Sequence, residues 1–206
     1  MENLKYILKR KTIYFIMIFL LLFCCFYSVI VDFEETIDYI WILNVRFVYT
    51  LFPLLYYYLL NLEYKYHAHQ FISIRYHHKE KQKIIMQTLL LLFYTIFIFL
   101  LFILPNLVTL GINGILYALE MSLLNFSVLM LFTNLVSIVS KYVKFNISLG
   151  IFIVLETAWY FIFIEGRIIE LSPGITRTAV IITIAICLVL SLVGIVYRMR
   201  MGDRNV

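Results

Sequence analysis

KEKQKIIMQTLLLLFYTIFIFLLFIL, residues 79–104, decides the fold class. Its first five residues are charged or polar; from Ile84 onward the run carries no charge and is long enough to cross the ~30 Å hydrocarbon core as a helix. A basic edge beside such a run marks the cytoplasmic end of a span, because Lys and Arg near span ends are retained in the cytoplasm. Reading outward from it, five further apolar runs appear at 12–31, 38–61, 115–140, 147–164 and 178–197, giving six spans with 84–104.

Composition agrees. The chain is 64% hydrophobic and 14% charged, against roughly 25% charged in soluble domains, so it has too little polar surface to dissolve without a bilayer. In lipid the backbone must satisfy its own polar groups, and long unbroken apolar runs do so as helices rather than as the short alternating strands of a barrel. The expected fold class is all-α transmembrane: one six-helix polytopic bundle over residues 1–206, with no internal repeat, low-complexity tract or linker.

Orientation follows from the basic residues. Lys5, Lys9, Arg10 and Lys11 precede the first span, and Lys65, Arg75, Lys79, Lys81 and Lys83 lie between the second and third. Lys141 and Lys144 follow the fourth span; Arg198, Arg200 and Arg204 follow the sixth. All of the 17 basic residues except Arg46, Arg167 and Arg177 therefore fall on alternate connections, while the first opposite connection is acidic, with Asp32, Glu34, Glu35 and Asp38. Both termini are expected in the cytoplasm of a bacterial plasma membrane, the Ile-, Phe-, Tyr-, Lys- and Asn-rich composition suiting an AT-rich genome. The net charge of +5 is a topology signal, and no connection is long enough for a nucleic-acid module.

The first span is too long for a signal-peptide core and runs into Asp32 and Glu34 without a small-residue cleavage site, so it reads as a retained anchor. Cys24, Cys25 and Cys187 all lie inside spans and read as small apolar side chains. Pro53 predicts a kink in the second span, and Tyr56, Tyr57 and Tyr58 after it an interfacial belt. The sequons at Asn125 and Asn146 fall in or beside spans and are discounted.

The long cytoplasmic connection, 63–83, mixes aromatic, aliphatic and basic residues. Phe71, Ile72 and Ile74 form an apolar cluster that either presents a knob to a soluble partner or rests on lipid headgroups. His67, His69, His77 and His78 have no cysteine companion and sit among lysines that repel a cation, so the expectation is a solvated loop and no metal. Three charges lie within spans: Arg46, Glu120 and Glu156. Each is costly in hydrocarbon and needs a partner or water. Matched depth and opposite sign suggest that Arg46 pairs with Glu120 or Glu156; the plainer alternative is that one acid is neutral or reaches the interface.

The layout resembles the membrane subunits of type-2 ABC exporters. The likeness rests on the basic lead-in from Leu4 to Lys11, six spans with both ends inside, the segment Phe71, Ile72, Ser73, Ile74, Arg75 and Tyr76 followed by Lys79, Lys81 and Lys83, a Pro-containing external turn at Ser172, Pro173 and Gly174, and the terminal Arg198-Met-Arg-Met-Gly-Asp203. External residues 165–177 are shorter than the re-entrant hairpin such permeases often carry.

The resemblance implies that 71–76 contacts a separate ATPase holding ATP and magnesium, and that a second permease subunit, of the same or a related chain, completes the pathway. It implies export of, or immunity to, a peptide or amphiphile. The chain itself has no GxxxxGK[ST] loop, so hydrolysis is expected in the partner and no cofactor in this chain. An alternative is a non-transporting accessory or immunity protein bound to another membrane complex. A membrane peptidase fits poorly, since the loop histidines have no nucleophile near them and Glu34-Glu35 has no external His.

Overall fold

The computed structural model describes residues 11–30, 52–69, 79–103, 112–160 and 173–203. They form six helices: α1 (Lys11–Ile30), α2 (Phe52–His69), α3 (Lys79–Ile103), α4 (Ile112–Val139), α5 (Phe145–Tyr160) and α6 (Pro173–Asp203). Among the described residues there is no strand, and three helices are long and apolar enough to cross a membrane, over Glu80–Leu101, Ala118–Val139 and Thr178–Arg200. Ile13–Leu22 and Phe145–Trp159 are shorter apolar helices.

Each helix follows from its sequence pattern. On α3, Ile84, Gln87, Leu91, Tyr94, Ile98 and Leu101 are buried, whereas Ile85, Leu89, Leu92, Ile96 and Leu100 are exposed, so two apolar stripes at helical spacing face different surroundings. The inner stripe meets protein. The outer stripe has counterparts in exposed Phe15, Ile18, Phe19 and Leu22 on α1 and Ile182, Ile186, Val189 and Val193 on α6, apolar faces that suit lipid. Hydroxyls within the helices return to their own turns: Thr88 donates to the Ile84 carbonyl at 2.9 Å, Thr95 to Leu91 at 2.8 Å and Ser122 to Ala118 at 2.7 Å.

The centre is α4, which packs against α3, α5 and α6 and is buried on nearly every side, from Ala118 through Met121, Leu124, Val128 and Leu129 to Val136. Its broadest neighbour is α6. There the backbones approach closely: a Cβ on Gly194 would lie 3.2 Å from the Cβ of Asn134, and Ser191 one turn earlier is fully buried. Small residues at a helix crossing allow this in lipid, where dispersion between close backbones replaces the hydrophobic drive. The α4–α5 connection is a tight turn, with Ser140 N–H donating to the Val136 carbonyl at 2.8 Å and Tyr142 N–H to Val139 at 2.9 Å; α5 then returns along α4, pairing Phe132 with Phe152.

The polar connection expected over 63–83 is shorter than the sequence suggested. α2 continues past Asn61 to His69, and α3 begins at Lys79 rather than Ile84. The physical reason is aromatic: Tyr64 stacks on Phe145 with ring centroids 4.0 Å apart and planes 5° apart, and the Lys83 ammonium lies 5.9 Å above the Tyr64 ring. These contacts favour helical backbone beyond the apolar runs. They also bring the end of α2 and the starts of α3 and α5 to one end of the bundle, where Lys65, Lys81, Lys83, Lys141 and Lys144 gather.

A second correction concerns the tyrosines. Tyr56 and Tyr57 are 0% and 2% exposed, so they belong to the core and not to an interfacial belt; Tyr58 is half-buried. Pro53 lies in α2, and the residues before Phe52 that decide whether the helix is kinked there lie outside the described ones. Cys187 is a buried free thiol, as a small apolar filler would be.

Candidate functional site

Arg198 is the most deeply buried cation among the described residues, with 1% of its side chain exposed. The sequence counts it among the basic residues that follow the sixth span, on the cytoplasmic side. Instead α6 continues helically to Asp203 and turns Arg198 inward, because it is seven residues after Ser191 and four after Gly194, on the face that packs on α4.

Its guanidinium spreads over three acceptors from two helices. Nε donates to Glu80 Oε1 at 3.0 Å, Nη1 to Asn134 Oδ1 at 2.8 Å and Nη2 to Gln87 Oε1 at 2.9 Å. The planar fork of Arg suits such divided bonding, which the single point of a lysine ammonium could not reproduce. The acceptors are themselves fixed. Asn134 Nδ2 donates to the Met130 and Ser191 carbonyls at 3.0 and 3.3 Å, and Ser137 Oγ donates to Gln87 Oε1 at 3.4 Å. Glu80 supplies the neutralising charge from the first turn of α3, with its side chain 20% exposed at the rim. A buried charge without such pairing costs several kcal/mol.

Beside this cluster a small cavity, with room for about one water molecule, is lined by Tyr56, Gln87, Thr88, Thr133, Asn134 and Arg198 together with apolar Ile84, Leu91, Met130 and Ile195. On its far side Tyr56 and Thr133 share a hydroxyl–hydroxyl bond of 2.8 Å, and Tyr56 packs on Tyr94 with ring centroids 5.5 Å apart. One residue along α2, Tyr57 donates to Glu156 Oε2 at 2.5 Å. Among the described residues, the second oxygen of Glu156 and both polar atoms of the Asn125 amide are buried with no hydrogen-bond partner. Polar groups thus follow α4 inward from its end near Ser137 to Asn125, a length of about 18 Å at 1.5 Å per residue.

Of the residues singled out from sequence, Glu156 is 2% exposed and its first partner is the Tyr57 hydroxyl. Glu120 is half-buried on α4. The Phe132–Phe152 pairing and the Ser148 Oγ bond to the Val136 carbonyl set Glu156 at the level of residue 128, about two turns from Glu120, so the two acids do not form one site. Arg46 and Phe71, Ile72, Ser73, Ile74, Arg75 and Tyr76 lie outside the described residues, as do His77 and His78; His67 and His69 are on the last turn of α2. Among the described residues no three His, Cys, Asp or Glu side chains converge on a metal-sized site.

Sequence reasoning missed Glu80, Gln87, Asn134 and Arg198. A signal was available: Gln87 and Asn134 are amides inside apolar runs, each within two turns of a basic span end, and such groups in hydrocarbon call for one another.

Comparison with family models, curated proteins and solved structures returned no match for this chain.

Proposed function

We propose that this chain is the membrane-spanning permease subunit of an ATP-driven ABC transporter, working with a separate ATPase that contacts residues 71–76. The observation that carries the reading is the path from that segment into the bundle. α3 begins three residues after Tyr76, and Glu80 in its first turn is bonded through Arg198 to α6, whose Asn134 contact ties it to the central helix α4. A displacement applied at the first turn of α3, the next described residues after that segment, therefore reaches three helices within two side-chain contacts.

Six spans with both termini in the cytoplasm of a bacterial plasma membrane complete the proposal. ATP and magnesium bind the ATPase, and a second permease subunit supplies the other half of the pathway. The cargo class that suits so apolar and aromatic a bundle is a peptide or amphiphile, exported or held off as an immunity function.

A non-transporting accessory or immunity role is the second reading, and the close-packed α4–α6 crossing at Gly194 and Asn134 favours it, since a rigid bundle suits a binding partner better than a moving one. Mild-detergent co-purification with the ATPase encoded beside this chain decides between them. A stoichiometric ATPase that is lost from the Ile72→Asp/Ile74→Asp variant supports the permease; no ATPase with the native chain moves the accessory role to the front.

A further inference from the structure

We propose that the turn between α4 and α5 binds an anionic phospholipid, its phosphate held by Lys141 and Lys144 and its acyl chain lying along the exposed face of α5. The two parts of the site follow one another in the sequence. Residues 141–144 are all exposed, and from Phe145 onward buried and exposed positions recur at helical spacing. Phe145, Ser148 and Phe152 are buried, whereas Ile147, Ile151, Val154 and Leu155 are exposed. The Lys144 carbonyl accepts from the Ile147 and Ser148 N–H groups at 3.0 and 3.1 Å, so Lys144 stands at the head of α5, in one row with Ile147, Ile151 and Leu155. From Lys144 to Leu155 that row runs about 16 Å at 1.5 Å per residue, close to half of the ~30 Å hydrocarbon core and so to the depth of one acyl chain in its leaflet. At Gly150, within the exposed face, a Cβ would meet no described residue within 4 Å, which leaves a gap between Ile147 and Val154 for a chain to occupy.

The two lysines stand on a closed turn. Lys141, Tyr142 and Val143 N–H groups donate to the Ile138 and Val139 carbonyls at 3.2, 2.9 and 3.0 Å, and the Ser148 hydroxyl donates to the Val136 carbonyl across the turn at 3.3 Å. The Tyr64–Phe145 stack brings Lys65 to the same end of the bundle, and the Tyr64 ring brings Lys83. Fewer acids oppose them: Glu80 is engaged by Arg198, Glu63 lies on α2, and the last turns of α6 add one further charge of each sign, Arg200 and Asp203. The surplus is positive and attracts an anion. The apolar row decides which anion. An acidic soluble protein or free phosphate would meet the lysines and leave Ile147, Ile151 and Val154 uncovered, whereas a lipid covers both. That face is open to it, since α5 packs on α4 and, narrowly, on α2. Tyr142, 76% exposed between the lysines, is an aromatic ring of the kind that sits at headgroup level.

The site is a property of this chain alone and goes beyond the permease reading; its test uses no ATPase, so the two fail separately. The full chain, with Trp41 and Trp159 replaced by Phe, carries Ile151→Trp as its single reporter in phosphatidylcholine vesicles. Fluorescence is compared as brominated phosphatidylglycerol or brominated phosphatidylcholine makes up a growing share of the lipid. Brominated phosphatidylglycerol should quench beyond its share. Lys141→Gln/Lys144→Gln should lower that preference at least about fivefold, the effect of one basic side chain at a membrane surface, and Lys141→Arg/Lys144→Arg should keep it. An Ile186→Trp reporter on the exposed face of α6 should not respond to residues 141 and 144. In the chain with its tryptophans intact, mass spectrometry of the detergent-purified protein should find added phosphatidylglycerol retained, and lost with the same two lysines. The proposal is overturned if brominated phosphatidylglycerol quenches the residue-151 reporter only in proportion to its share, which would leave the lysines to an acidic protein surface, or if the preference survives Lys141→Gln/Lys144→Gln. It is equally overturned if the residue-186 reporter responds in parallel, which would mean general attraction to the membrane, or if inorganic phosphate displaces the lipid more than chloride does at equal ionic strength, which would make a free anion the occupant.

Discussion

Tyr57 on α2 donates a 2.5 Å hydrogen bond to Glu156 on α5, joining two residues ninety-nine positions apart in sequence, the acid only 2% exposed. α2 and α5 otherwise meet narrowly, chiefly in the Tyr64–Phe145 stack, so this bond fixes how far apart they stand.

Replacing Tyr57 by Phe keeps the ring and removes the donor. Glu156, which has no other donor among the described residues, loses this bond while buried, and a loss of about 1–3 kcal/mol is expected. Glu156→Gln retains an acceptor for the Tyr57 hydroxyl and should cost less. Thermal unfolding in one detergent, with both variants side by side, reads the order; equal stability of Tyr57→Phe and native protein would mean that the bond contributes nothing.

Two glycines give opposite expectations for one change. At Gly194 an added methyl meets the Asn134 Cβ at 3.2 Å, whereas at Gly150 it meets no described residue within 4 Å. Gly194→Ala should destabilise by about 1–3 kcal/mol through overpacking. Gly150→Ala should stabilise α5 by up to ~1 kcal/mol through helix propensity. The unfolding midpoint measures both, and a Gly194→Ala variant as stable as the native chain would contradict the close crossing.

Arg198→Ala removes a buried cation and leaves Glu80, Gln87 and Asn134 without their shared donor. The expected loss is on the order of 3–5 kcal/mol. Arg198→Lys should fall between, because one ammonium cannot reach three acceptors set around a planar fork. Yield of folded, monodisperse protein on gel filtration ranks the three; a lysine variant indistinguishable from native would show that charge alone matters there.

For the proposed pairing of Arg46 with Glu120, charge exchange is the measure. Arg46→Glu and Glu120→Arg should each lower the folded yield, and the double exchange should recover it. A double variant no better than either single one would end the pairing.

The all-helical class was legible in the sequence because uncharged apolar runs of this length have few other ways to satisfy their backbones. The interior was only partly legible. Tyr56 and Tyr57 look like belt residues because Tyr suits both an interface and a core when its hydroxyl finds a partner, and those partners, Thr133 and Glu156, are distant in sequence. Arg198 was hidden differently: retention of Arg at a span end and burial of Arg against an acid leave the same letter after an apolar run. Only the register of Ser191, Gly194 and Arg198 on one face of α6, set against the amides of Gln87 and Asn134, separates the two.

The partners of Arg198 are separated from it by 118, 111 and 64 residues, all of them upstream. During synthesis Glu80, Gln87 and Asn134 are made before their common donor exists, so α3 and α4 are complete before the group that joins them. A chain cut short anywhere before Arg198 lacks that donor, so α3 and α4 lose the one side chain that ties Glu80 and Gln87 to Asn134.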